Sequence, residues 1–139
     1  MKKLIYFMLV LLGVGFMSCD KEEEHTPYYV MYFTARVVDE AGEPIQGILA
    51  NPEGYSFYGR SGYSNYKGEI EAYLQMRPEF SGNFIFEDID GEANGGEYES
   101  LTINLIDKVA GLGNKPDDWG FVGSSVVQCG NVVLKLKNN

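Results

Sequence analysis

The chain has 139 residues, of which 45% are hydrophobic and 14% aromatic, with 17 glycines and 10 tyrosines. This composition supports one domain with its own core and is typical of short strands joined by turns. The formal net charge is −9, from 11 basic and 20 acidic side chains. Such a surface repels a phosphate backbone, so nucleic acid is excluded as an expected partner.

The first 18 residues have the pattern of an export signal. Lys2 and Lys3 precede an unbroken apolar run from residue 4 to residue 12, and no acidic residue occurs before Cys19. This pattern predicts a cleaved secretory signal peptide. The run is too short for a permanent membrane span, which needs about 20 apolar residues. The stretch Phe16-Met17-Ser18-Cys19 resembles the lipobox of bacterial lipoproteins.

That resemblance implies a covalent lipid anchor on Cys19. In lipoproteins the cysteine receives a diacylglyceryl group, the chain is cut before it, and the new N-terminus is acylated, typically with palmitate. Several acyl chains hold a protein stably on a membrane. Cleavage would remove Lys2 and Lys3 and take the formal charge from −9 to −11. No other cofactor is expected.

The residues after Cys19 predict a mobile tether. Residues 20–27 read Asp-Lys-Glu-Glu-Glu-His-Thr-Pro, a charged run that cannot bury apolar surface. The run resembles the acidic export signal of surface lipoproteins in some Gram-negative bacteria, and a solvated spacer is the alternative. We therefore expect a signal peptide at 1–18, a lipidated tether at 19–27 and a folded domain at 28–139. The expected location is the outer membrane, at the cell surface or otherwise facing the periplasm.

The segment 34–51 contains a strand, a turn and a second strand. The first strand stops at Asp39, Gly42 and Pro44 supply the turn, and the second strand starts at Ile48. This pattern resembles the opening of the carboxypeptidase-regulatory-like family, and the segment 64–70 resembles a second signature of that family. The resemblance implies an all-β fold, a transthyretin-like (prealbumin-like) antiparallel β-sandwich of about seven strands.

Alternation of apolar and polar residues predicts the remaining strands and their inward faces. Met31, Phe33, Ala35 and Val37 share one parity, as do Ile70, Ala72 and Leu74. Strands are predicted at 28–38, 48–51, near Phe57, near Tyr63, at 69–74, 80–89, 101–106 and 132–136. In the last two, Leu101, Ile103 and Leu105, and Val132, Leu134 and Leu136, are expected to share a face.

The lipobox, the opening motif and the segment Phe86-Glu87-Asp88-Ile89-Asp90-Gly91 together resemble a lipoprotein family encoded with a radical SAM enzyme. That resemblance implies an envelope protein or a radical SAM enzyme system as partner. It implies no established activity.

An acidic segment, residues 88–99, contains candidate Ca²⁺ ligands at the spacing of an EF-hand loop. The ligands would be Asp88, Asp90, Glu92, the Asn94 carbonyl and Glu99. Residue 93 is alanine where that loop needs glycine, and no helix is predicted on either side. The EF-hand interpretation therefore fails. A looser Ca²⁺ site in a β-loop and a solvated Asp-Gly turn remain, and we expect the solvated turn.

The sequence does not predict an enzyme. The only histidine, His25, lies in the tether, so the domain cannot form a Ser-His-Asp, Cys-His or multi-histidine metal site. With Cys19 acylated, Cys129 is the only remaining thiol and cannot form an intramolecular disulfide. Its valine neighbours favour a packed, inert cysteine. A disulfide with a partner or a modification is the alternative.

Two non-catalytic functions follow from these observations. The first is a membrane-anchored structural or interaction module. The second is a carbohydrate-binding module, in which the exposed aromatic residues Tyr58, Tyr63, Tyr66 and Trp119 would form a platform for sugar rings. The same aromatic residues serve equally well as core and cross-strand packing.

Overall fold

The computed structural model describes residues 25–55 and 62–138, which form an all-β fold. The strands are β1 Tyr28–Val38, β2 Ile48–Pro52, β3 Glu69–Met76, β4 Asn83–Asp88, β5 Leu101–Asn104 and β6 Phe121–Val133. A single turn of 3-10 helix, Ile106–Lys108, is the one helical element of the described residues. The predicted signal peptide, Cys19 and the predicted strand near Phe57 lie outside the described residues.

The six strands form two small open sheets. The first sheet has the order β3-β1-β6 and the second has the order β2-β4-β5. Their inner faces share one hydrophobic core, in which Phe33 of the first sheet stacks on Phe84 of the second with ring centroids 4.4 Å apart. Phe80 meets Phe84 edge-on at 5.7 Å and extends this aromatic contact toward one end of the second sheet.

The inward faces of β1 and β3 agree with the alternation in the sequence. Met31, Phe33, Ala35 and Val37 are all buried, as are Ile70, Ala72 and Leu74. Successive side chains of a strand point to opposite faces, so the apolar parity of each strand determines which face packs against the core. This part of the prediction is confirmed.

The prediction of a wholly antiparallel fold is wrong. β1 pairs with β3 in the antiparallel sense but with β6 in the parallel sense. A parallel neighbour requires a crossover connection, and here the connection is the whole of the chain between the first and last strands. Alternation within a strand contains no information about the direction of its neighbour, so the sequence pattern could not show this.

The last strand begins earlier than predicted and contains a bulge. Thr34 pairs with Gln128 but Ala35 pairs with Gly130, so Cys129 is an extra residue in β6. Gly130 adopts φ +78°, a conformation that favours glycine. The bulge shifts the buried parity along the strand. The buried residues before it are Ser125 and Val127, and those after it are Val132 and Leu134.

Several predicted strand ends also differ. Leu136 was expected to face the core with Val132 and Leu134, but it is 48% exposed and forms an isolated bridge with Tyr98. In β5, Leu101 is exposed and Leu105 is buried beyond the strand end, so the expected common face is not formed. Tyr63 forms an isolated bridge with Leu49 and not a strand, and the adjacent Ser64 hydroxyl accepts a hydrogen bond from Ile48 N–H and donates one to the Ile45 carbonyl.

Three connections each contain a turn of the same type, with the sequence pattern Asx-x-x-Gly. Asp39 Oδ1 accepts hydrogen bonds from the N–H groups of residues 41 and 43, both at 2.9 Å. Asn65 Oδ1 accepts from residues 67 and 69, and Asp117 Oδ1 from residues 119 and 121. The glycine in each turn has positive φ. The first two turns lie in the segments noted from the sequence; the third, around Asp117, has the same spacing.

Candidate functional site

The acidic segment forms a turn whose carboxylates bind mainly to the protein itself. Asp88 accepts hydrogen bonds from Tyr98 N–H at 3.0 Å and Asp90 N–H at 3.2 Å. The Asp90 carboxylate accepts one from the Asn94 side-chain amide and lies directly over Gly47, where a Cβ atom would overlap it. Burial raises the pKa of Asp88, the neighbouring Asp90 carboxyl adds to the rise, and the Tyr98 N–H opposes it.

Of the other predicted Ca²⁺ ligands, Asn94 contacts Asp90, through its side-chain amide and not through the predicted carbonyl. Glu92, Asn94 and Glu99 are exposed, and the Glu99 backbone N–H bonds to the Lys135 carbonyl. Glu97 instead forms an ion pair with Lys137 at 2.7 Å. Among residues 25–55 and 62–138 no group of three or more acidic, cysteine or histidine side chains is placed to hold a metal ion.

We expect the melting temperature of the protein to be the same in millimolar Ca²⁺ as in a chelator. Asp88 and the Oδ2 atom of Asp90 already accept protein hydrogen bonds, and no third acidic side chain of the described residues joins them, so a cation bound between them would have to displace contacts that stabilise the fold. Thermal unfolding followed by circular dichroism checks this, with the Asp88→Asn/Asp90→Asn double variant as the control. A rise of several degrees that the double variant abolishes would show instead that Ca²⁺ binds the folded loop.

The aromatic residues suggested for sugar binding are not gathered into one platform. Tyr66 and Trp119 are each 70% exposed. Tyr66 lies within the turn of residues 65–68, beside the C-terminal end of β1, whereas Trp119 packs against His25 next to the N-terminal end. β1 has 11 residues, so its two ends lie about 33 Å apart at the usual rise of a strand. Tyr63 is 36% exposed beside β2, and Tyr58 lies outside the described residues.

A different aromatic group lies on the outer face of the first sheet. Tyr32 of β1 has Tyr73 as its register partner on β3 and Val126 as its partner on β6. The centroids of the two tyrosine rings are 4.8 Å apart. Tyr73 is 73% exposed and Val126 is 62% exposed. We call these three residues the aromatic row. The Tyr32 hydroxyl donates a hydrogen bond to Glu71, which raises the pKa of Tyr32 to about 12.

A cleft of about 750 Å³ opens at one end of the second sheet. The side chains that line it and bear on its chemistry are Glu53, Tyr55, Arg77, Glu79, Phe80 and Ser81. A smaller concavity of about 190 Å³ adjoins it, sharing Tyr55 and Arg77 and reaching the segment that precedes β1. The larger volume is within the range of small-molecule sites, about 300–1,000 Å³.

The Glu53 carboxylate is held in place by a hydrogen-bond network. Its Oε2 atom accepts from the Asn83 side-chain amide at 2.8 Å and the Ser81 hydroxyl at 3.0 Å. Asn104 orients Asn83 in turn by donating to its side-chain oxygen at 2.7 Å. The bonds from Asn83 and Ser81 favour the charged carboxylate and lower the pKa of Glu53.

The Tyr55 ring is fixed by contacts on two sides. Its hydroxyl accepts a hydrogen bond from the backbone N–H of Arg77 at 3.1 Å, and its ring meets Phe80 edge-on at 5.5 Å. Phe80 itself is buried against Phe84. Tyr55 therefore links the wall of the cleft to the aromatic contacts of the core.

Glu53, Tyr55 and Arg77 were not among the candidate residues that the sequence suggested. The available signal was weak: Glu53 follows a proline that ends β2, and Arg77 precedes a proline after β3. Charged residues beside prolines at strand ends are frequent in ordinary turns. Only the packing of the two strand ends brings these side chains to one cleft.

Cys129 is half-buried at the bulge of β6 and packs against the core. Burial raises the pKa of its thiol, although Lys108 acts in the opposite direction. A raised pKa leaves less of the reactive thiolate at neutral pH. This environment fits a packed cysteine better than a nucleophile.

The fold and these sites define, over the described residues, an all-β protein of two small open sheets that carries a cleft and an exposed aromatic row. No helix of the described residues is long and apolar enough to cross a membrane. Comparisons of the chain with protein-family models, with curated proteins and with solved structures return no match.

Proposed function

We propose that this protein is an exported lipoprotein whose folded domain is a non-catalytic interaction module. Cys19 is its lipid anchor, residues 20–27 are the tether, and the two sheets form a sandwich of the transthyretin-like type. The lipobox-like residues before Cys19 support the anchor, and the strand-turn-strand motif at 34–51 supports the fold type.

The aromatic row is the observation that carries the interaction function. The inner face of the first sheet packs in the core, and Tyr73 and Val126 remain well exposed on its outer face. Exposed contiguous apolar side chains contribute little to the core, and they commonly mark binding surfaces. Tyr73 and Val126 are exposed in the isolated protein because the binding partner covers them in the complex.

The chemistry around the row favours a protein partner. The flanking side chains Val30, Gln75 and Ser124 are uncharged, and the nearest carboxylate, Glu71, is occupied by the Tyr32 hydroxyl. Aromatic residues are enriched and charges depleted at the centres of protein interfaces. The row lines neither of the two concavities described above, whereas small molecules prefer concave sites. The partner is an envelope protein, and the resemblance to radical SAM-associated lipoproteins makes such an enzyme system the first one to test.

Crosslinking in living cells tests this function. We expect benzoylphenylalanine placed at Tyr73 in the full chain to give one discrete adduct upon irradiation, because the partner covers that side chain. The same probe at Tyr66, which is equally accessible but lies on a turn away from the row, is the matched control. Immunoblotting measures both.

A Val126→Asp substitution in the Tyr73 probe strain should abolish the adduct, since it places a charge in the centre of the interface. Identical adducts from positions 73 and 66, or none from position 73, would count against the proposal.

The second candidate, carbohydrate binding through Tyr58, Tyr63, Tyr66 and Trp119, has less support. Tyr66 and Trp119 lie near opposite ends of β1 and cannot stack on the same sugar ring.

A further inference from the structure

We propose that the cleft beside Glu53 is a binding site for a neutral saccharide. The site shares no residue with the aromatic row and differs from the loop tyrosines that the sequence suggested. It therefore stands whether or not the row binds a protein partner.

The cleft has the features of a preorganised polar site. Ser81 and Asn83 hold the Glu53 carboxylate through Oε2, so the ligand meets an acceptor whose orientation is already set. The ring of Tyr55 is fixed by Arg77 N–H and by Phe80. Groups ordered before binding lose little entropy on contact with a ligand, which favours affinity.

The mixture of charges selects the ligand class. Two carboxylates, Glu53 and Glu79, and one guanidinium, Arg77, line the same cleft. The excess of negative charge disfavours a phosphate or another anion, and Arg77 offsets part of the attraction that the carboxylates would exert on an amine. A neutral polyol is compatible with both the negative and the positive groups of the cleft, because each hydroxyl can donate to a carboxylate and accept from a guanidinium.

The aromatic residues of the lining suit the apolar C–H faces of a sugar ring. Tyr55 is half-buried, and Phe80, which is buried, also contributes to the lining of the cleft. Aromatic rings pack on the C–H faces of a pyranose, while the polar groups around them bind its hydroxyls. The adjoining concavity, which shares Tyr55 and Arg77, extends the site beyond one ring. The geometry therefore suits an oligosaccharide segment.

A glycan array tests the proposal with the full chain purified in detergent. The probes are neutral, sialylated and sulfated glycans printed side by side. We expect binding to at least one neutral glycan class, and a loss of at least about tenfold in apparent affinity for Glu53→Gln and Arg77→Ala, because each removes a charged hydrogen-bonding group. Both side chains are exposed, so these variants should retain the fold, which circular dichroism checks.

Matched controls separate the site from general surface charge. Glu87→Gln and Arg36→Ala change exposed side chains of the same types away from the cleft, and should bind as the unmodified protein does. Binding confined to sulfated or sialylated glycans would overturn the proposal. The proposal would also be overturned if no neutral glycan were bound, or if the control variants lost as much affinity as the cleft variants. Loss of the Tyr73 crosslink in intact cells would affect only the interaction function.

Discussion

Replacing Phe84 with alanine is expected to lower the free energy of unfolding by about 3–5 kcal/mol. Phe84 is fully buried, stacks on Phe33 across the two sheets and meets Phe80 edge-on. Its truncation removes a large apolar side chain and leaves a cavity where the sheets meet. Small domains have a total stability of about 5–15 kcal/mol, so this loss should bring the protein close to unfolding at growth temperature.

Equilibrium urea titration followed by circular dichroism measures the effect of Phe84→Ala. Tyr66→Ala is the matched control, since it removes an aromatic ring that is 70% exposed and should change the stability by no more than about 0.5 kcal/mol. Similar losses for the two variants would mean that the two sheets do not pack through the Phe33 and Phe84 stack.

Cys19→Ser is expected to abolish lipid incorporation and to leave a precursor that retains residues 1–18. The lipoprotein pathway that the lipobox-like residues predict requires the cysteine sulfur for the diacylglyceryl group, and cleavage follows that modification. Labelled palmitate, electrophoretic size and partitioning into detergent together measure the outcome. The serine variant should lack label, run larger than the protein cleaved before residue 19, and lose the acyl chains that the proposed anchor would supply.

Cys129→Ser provides the matched control for the anchor. It removes the other cysteine of the chain, which is half-buried in the bulge of β6. We expect normal labelling and mature size for this variant. A Cys19→Ser protein of mature size that still enters the detergent phase would contradict the lipoprotein proposal, and label lost in both variants would show that the effect is not specific to Cys19.

Local features of the sequence predicted the parts of the fold that depend on local physics. The alternation in β1 and β3 identified the buried faces, because side chains of a strand alternate between two faces whatever its neighbours are. The turns at Asp39 and Asn65 were also marked locally, since each side chain bonds to backbone N–H groups a few residues ahead and each glycine takes positive φ.

The tertiary structure alone decided the pairing and the composition of the sites. The parallel partnership of β1 with β6 and the bulge at Cys129 depend on contacts between the two ends of the chain, which no local pattern reports. The sequence left Asp88 either in a solvated turn or in a looser Ca²⁺ site, and only the structure shows that its oxygens accept hydrogen bonds from Asp90 N–H and Tyr98 N–H. Glu53 and Arg77 were inconspicuous at separate strand ends, and they line one cleft because the ends of the two sheets pack together. Periodicity shows which face of a strand is buried, whereas only packing shows what lies opposite it.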